Sequence, residues 1–293
     1  MISTQQKIWK KENGWSNVGE NLLREKAQWV LVFGGREILE DESRFKEIQE
    51  MYQGADILMC SSAGEIVDTQ IHDNSLSLTA IHFEKTKLSF VSATITGYDE
   101  SEKVGLQLAS LLEKENLAHV MVFSDGLLVN GTGLVKGLNA GLPDNVAVTG
   151  GLVGDGPDFK KTVVGLNTLA TSGNIVAIGF YGSELRVGYG SLGGWDTFGI
   201  ERTITKAKNN ILYELDDQPA LGLYKQYLGD QAQSLPSSGL LFPLKLHINA
   251  DGKDVEVVRT ILGVNEEDQS MTFAGDIPVG ATASLMKANF ERL

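Results

Sequence analysis

The stretch Trp29-Val30-Leu31-Val32-Phe33-Gly34-Gly35 has a near twin in His119-Val120-Met121-Val122-Phe123-Ser124-Asp125-Gly126. Each is a short apolar run closed by a turn signal, the pattern of a buried strand. The segments downstream of the two runs are alike as well. After the first, Asp41 is placed to cap a helix whose apolar stripe is Phe45, Ile48 and Tyr52. After the second, Thr132 is the expected cap, Leu134, Val135 and Leu138 form the stripe, and Gly141 and Pro143 stop the helix. A second strand comes next, at residues 57–60 in one copy and 146–149 in the other.

Both second strands run into small-residue turns, Cys60-Ser61-Ser62-Ala63-Gly64-Glu65 and Gly150-Gly151-Leu152-Val153-Gly154-Asp155-Gly156. Gly64-Glu65 aligns with Gly154-Asp155, so each turn ends in glycine followed by a carboxylate. Two more strands complete each copy, 76–83 and 87–95 in the first, 175–180 and 184–189 in the second. Self-similarity of this kind marks a duplicated module. A helix between two strands calls for a right-handed crossover and a parallel pair, with the closely connected later strands antiparallel.

The expected fold class is therefore α/β (mixed α+β), with duplicated strand–helix–strand modules forming mixed sheets with packed helices. These fill residues 1–190, as copies at about 29–95 and 119–189, and a β-rich region succeeds them over 191–293. An amphipathic helix over 100–116 links the copies, with Val104, Leu108, Leu111 and Leu112 on one face. In the β-rich region a strand pair spans 202–215, and Pro219 opens a helix faced by Ala220, Leu223, Tyr224, Tyr227 and Leu228. Further strands are expected near 240–248, 255–262, 271–273 and 282–285.

The 293 residues suffice for a sizeable core without a staple. One cysteine excludes an internal disulfide framework and a four-cysteine zinc site. The formal charge of −13 and the lack of a Lys/Arg cluster argue against a nucleic-acid partner. Lys7-Ile8-Trp9-Lys10-Lys11 reads as a solvated terminal segment. No secretory signal and no run of eighteen apolar residues is present, so a cytoplasmic chain without membrane insertion is expected.

Small residues after a buried strand let a ligand approach the backbone, whose N–H groups can hold an anion. The expected ligand-binding set is Cys60, Ser61, Ser62, Gly64, Glu65, Gly150, Gly151, Gly154, Asp155 and Trp195, with Glu65 or Asp155 taking a ligand amine. Neither turn fits a dinucleotide fingerprint or a P-loop. Cys60 is a nucleophile only if a histidine and an oxyanion hole stand beside it, and no local signature pairs it with one. The four histidines lack metal-ligand spacing, although a haem iron needs only one imidazole, which His72, His82, His119 or His247 would supply.

These turns, with Ile66, Phe159 and Thr162, then Gly194-Trp195, Thr205, Tyr213-Glu214-Leu215-Asp216, Pro219-Ala220 and Gly275-Asp276-Ile277-Pro278-Val279-Gly280, resemble the FIST sensory domain across nearly the whole chain. That resemblance implies a bacterial signal-transduction input domain that recognises amino acids or similar small polar ligands. It would pass the signal to a histidine kinase, a diguanylate cyclase or a chemoreceptor. Some members of the family bind haem and sense nitric oxide, which makes a haem sensor the alternative; a cysteine-dependent enzyme ranks below both. Members continue past the segment that matches 277–286, so the second region is expected here in incomplete form.

Overall fold

A computed structural model describes residues 1–19, 23, 26–190, 193–250 and 253–291. The chain divides into two compact units, Met1–Val129 with Leu134–Gly188, and Asn130–Gly133 with Tyr189–Leu293. The boundary expected at 190/191 falls against Ser191, which lies outside the described residues.

The first unit begins with β1 (Ile2–Lys10), β2 (Gly14–Val18), β3 (Trp29–Gly34), α1 (Arg36–Leu39), α2 (Glu42–Met51) and β4 (Asp56–Ser61). The hairpin β5 (Glu65–Val67) and β6 (Gln70–His72) leads to β7 (Leu76–Phe83). Then come β8 (Lys87–Thr94), α3 (Ser101–Leu111), β9 (Leu117–Ser124), α4 (Gly131–Gly141), β10 (Ala147–Leu152), β11 (Val164–Leu166) and β12 (Asn174–Tyr181). Two mixed sheets result, in the orders β11-β4-β3-β7-β1-β2 and β10-β9-β12-β8.

Both predicted parallel pairs form. β3 runs with β4, placing Phe33 opposite Cys60, and β9 runs with β10, placing Phe123 opposite Gly151. This register matches Cys60 with Gly151 rather than with Thr149, and it makes Gly150 and Gly151 strand residues, not turn residues. Glycine weakens a strand, which hides it from a sequence reading. Gly150 is required here, because a Cβ at its φ of +149° would strike the Val122 carbonyl.

Side chains alternate across each sheet, as the strand period of two demands. Val30 and Val32 of β3 face α2 in one core with Ile48, and Val120 and Val122 of β9 face α3 and α4 in another with Leu108 and Leu138. The opposite faces of the sheets pack on each other through Trp29, Leu58, Cys60, Phe123, Ile178 and Phe180. The unit is thus layered helix, sheet, sheet, helix. Phe33 and Phe123, equivalent in the two modules, touch with ring centroids 6.0 Å apart, as a pseudo-two-fold between the sheets requires.

Several sequence expectations change. β8, read as the last strand of the first copy, pairs instead with β12 in the second sheet. There it occupies the place that β1 occupies beside β7, and so the terminal segment containing Lys7-Ile8-Trp9 is an ordered strand with Ile8 buried. No strand forms at 184–189. Asn130, not Thr132, caps α4: its Oδ1 accepts from Thr132 N at 3.0 Å and Gly133 N at 3.3 Å. α3 ends at Leu111, and both Leu111 and Val135 are exposed. In their stead Gly105 and Gly137 bring α3 and α4 so close that a Cβ on either would meet a backbone carbonyl of the other helix.

The second unit holds β13 (Trp195–Lys208), β14 (Ile211–Leu215), β15 (Gln218–Pro219), α5 (Ala220–Leu228), β16 (Leu244–Ala250), β17 (Lys253–Arg259), β18 (Ile261–Asn265), β19 (Ser270–Phe273) and β20 (Thr282–Ala288). Its sheet has the order β17-β16-β20-β13-β14-β19-β18, with β15 beside β14. Ala220, Leu223, Tyr224 and Leu228 of α5 pack on this sheet with Phe273 and Leu246, whereas Tyr227 is exposed. Among the described residues no helix is long and apolar enough to cross a membrane.

Candidate functional site

The two glycine-carboxylate turns leave the C-terminal ends of β4 and β10 and meet. Gly154 N donates to the Ser61 carbonyl at 3.2 Å and Gly156 N to the Ser62 carbonyl at 3.3 Å. Ser61, buried, accepts Val163 N on its Oγ at 3.0 Å. A Cβ on Gly154 would lie 3.3 Å from Ala63 N, a tight contact that the two loops would ease by a few tenths of an ångström. The ends of parallel strands are where open α/β sheets place their ligands.

The two carboxylates are both engaged, and differently. Glu65 is 2 % exposed; its Oε1 accepts from Ser62 Oγ at 2.8 Å, and its Oε2 from Ser75 N at 3.1 Å and Ser75 Oγ at 2.7 Å. It ties the turn to the start of β7, and a ligand amine would have to displace these internal donors. Asp155, whose side chain is 5 % exposed, accepts Arg36 Nε at 2.8 Å on Oδ1, and Lys160 N and Lys161 N at 3.1 and 2.9 Å on Oδ2. Burial pushes the Asp155 carboxyl up, but the Lys161 N–H, Arg36 and the Lys160 N–H outweigh it and hold the group below its ordinary value.

Around this pair the charges continue outward. Arg36 Nη1 also donates to Glu40 Oε2 at 3.1 Å, and Lys161 Nζ meets Glu40 Oε1 at 2.5 Å. The side chains of Arg36, Glu40 and Lys161 are 19, 27 and 49 % exposed, so the alternating network opens toward solvent. Arg36, Glu40 and Lys161 are absent from the sequence-derived set. The signal that points to them is spatial, since Arg36 and Asp155 are 119 residues apart.

The rest of that set is dispersed. Cys60 points into the core between the sheets, fully buried, and burial drives its thiol far above the usual thiol range, opposite to what a nucleophile needs. Gly150 and Gly151 lie within β10. Trp195 belongs to the second unit, where its Nε1 donates to the Leu240 carbonyl at 3.3 Å.

The histidines differ sharply in setting. His119 is 2 % exposed, packs on Phe180 and shares a 2.8 Å hydrogen bond between Nε2 and Thr149 Oγ1, which leaves no room for a porphyrin. His247 stands between Glu201 and Glu256, at 3.6 and 3.4 Å. His72 lies on the hairpin strand β6, opposite Glu65. His82 lines an open groove of about 650 Å³ together with Phe83, Leu88, Lys26, Lys85 and Lys87. Its Nδ1 lies 3.0 Å from the Lys26 carbonyl, to which a protonated Nδ1 donates. No group of metal-ligating side chains occurs among the described residues.

Family models match most of the chain: the FIST N domain over residues 28–218 and the FIST C domain over 220–293. The chain belongs to the FIST family, whose domains are sensory modules of signal transduction rather than enzymes. No curated protein matched its sequence.

Proposed function

We propose that this protein is an input domain that binds a small zwitterionic ligand, of the amino-acid class, at the Arg36–Asp155–Glu40–Lys161 network where the two turns meet. The observation that carries this reading is that a buried carboxylate and a half-open chain of alternating charges converge at the carboxyl ends of both parallel strand pairs. A ligand carboxylate replaces Glu40 on Arg36 and Lys161, and a ligand ammonium takes up the freed Glu40. Asp155 keeps Arg36 oriented, and Glu65 holds the first turn in shape. Binding changes which side chains Arg36 and Lys161 hold, and so biases the packing of the two turns that a signalling partner reads.

Calorimetric titration with the twenty amino acids tests this. A ligand bound by the wild-type chain is expected to lose at least tenfold in affinity on Glu40→Ala and on Lys161→Ala, both of which leave the buried contacts intact. Unchanged affinity in both variants would rule the network out as the binding site.

One observation favours a second reading, the haem sensor. His82 is the imidazole best set for iron, and haem propionates would take Lys85 from Glu184 and Lys87 from Glu113. Residues His82, Phe83 and Leu88 would hold the group, and haem would supply gas binding at iron. Addition of haemin is expected to give a Soret band that His82→Ala loses and His247→Ala keeps; a colourless wild-type mixture eliminates this reading.

A further inference from the structure

β4 and β10 occupy matching places in their sheets, each the outer member of a parallel pair. Their outer edges differ. β4 is covered by β11, which runs antiparallel with Cys60 opposite Val164, Met59 opposite Gly165 and Leu58 opposite Leu166. β10 ends its sheet, and among the described residues no strand pairs on its outer side. Its glycines, Gly150 and Gly151, are exposed.

A strand edge presents a row of backbone donors and acceptors, and proteins blunt such edges with charges, prolines or a covering segment. Ala147-Val148-Thr149-Gly150-Gly151-Leu152 carries no charge and no proline. This matters on a chain of formal charge −13, where most of the surface repels a like copy. No side chain of β10 itself adds to that repulsion; the nearest carboxylates are Asp144, three residues before the strand, and Asp155, three residues after it and held by Arg36. The strand accepted by β4 shows what such an edge takes: β11 is short, uncharged and contains a glycine, Gly165. β10 has the same make-up. An antiparallel pairing of β10 with its own copy about a two-fold axis therefore satisfies both open edges with one self-complementary contact.

We propose that β10 is a homodimerisation edge, and that two copies of this chain join their four-stranded sheets through it into one continuous sheet of eight strands. None of Arg36, Glu40 and Lys161 lies on β10, and Asp155 of that network follows the strand by three residues, so the dimer test below does not depend on the ligand reading.

The test uses the full chain. Sedimentation velocity from low to high micromolar concentration is expected to show a species of twice the chain mass. Amide exchange measured over the same range should slow at residues 147–152 as that species forms. Gly151→Asp places a charge at the edge; a Cβ at Gly151 meets no atom within 4 Å, so the fold tolerates it. This variant is expected to melt as the wild type does and to dimerise at least tenfold more weakly. A wild-type chain that stays monomeric at the highest concentration overturns the proposal. So does a dimer whose protection maps to another strand, or a Gly151→Asp variant that dimerises undiminished.

Discussion

Arg36 Nε donates to Asp155 Oδ1 at 2.8 Å, joining the first residue of α1 in one module to the turn that closes the parallel pair of the other. The Asp155 side chain is nearly buried, and removing Arg36 takes from it the one charged donor among its three, leaving the Lys160 and Lys161 N–H groups. Arg36→Ala is expected to lower stability by roughly 2 kcal/mol, the range for hydrogen bonds to charged groups. Urea unfolding checks this, and a loss within experimental error would show the contact to be replaceable by water.

The same carboxylate sets an acid limit. With its folded pKa below the ordinary 3.8, Asp155 contributes stability that is present above 3.8 and lost as pH falls through the lower folded value. Asp155→Asn is expected to flatten the acid limb of a plot of unfolding midpoint against pH.

His119 gives the complementary dependence near neutrality. Burial lowers its pKa below the ordinary 6.5, so the unfolded chain takes up a proton before the folded one does. Stability is full above 6.5 and declines as pH falls below it. His119→Phe should lack this decline when both proteins are melted at a series of pH values; parallel curves would place the titration elsewhere.

Cys60 should be inert. A native sample treated with a thiol reagent is expected to show no modification until urea is added, when one equivalent reacts. Prompt labelling of folded protein would contradict the core position of this side chain.

The crossing of α3 and α4 is sensitive to a single methyl. Alanine normally gains about 1 kcal/mol over glycine inside a helix. At Gly137, however, the added carbon meets the Glu102 carbonyl, and overpacking costs typically 1–3 kcal/mol. Gly137→Ala is therefore expected to destabilise, measurable as a lower melting temperature.

The strands are legible where burial makes them plain. β3, β4, β7 and β9 read directly from apolar runs, and the internal likeness of Trp29–Gly34 to the run ending at Ser124 reveals the duplication. Periodicity states which face of a strand is buried, not which strand it joins. That is why a sequence reading assigns β8 to the wrong sheet and leaves β1 a solvated segment. Gly150 and Gly151 read as a turn because glycine is poor in strands, whereas here the approach of the Val122 carbonyl demands it. The meeting of the two turns is implicit in the duplication. The side chains that fill the meeting point are not, since Arg36 looks like any charged residue opening a helix until the chain has folded onto Asp155.

The two sheets hold strands on loan from each other, β8 in one direction and β11 in the other. During synthesis the amino-terminal half emerges first, yet the edge of β4 stays open until Val164–Leu166 has left the ribosome, and β8 has no neighbour until Asn174–Tyr181 emerges in turn. Ordinarily a leading segment matures while the remainder is still being made. Here neither half can finish alone, so a nascent chain cut anywhere between them yields two unfinished pieces rather than one working module.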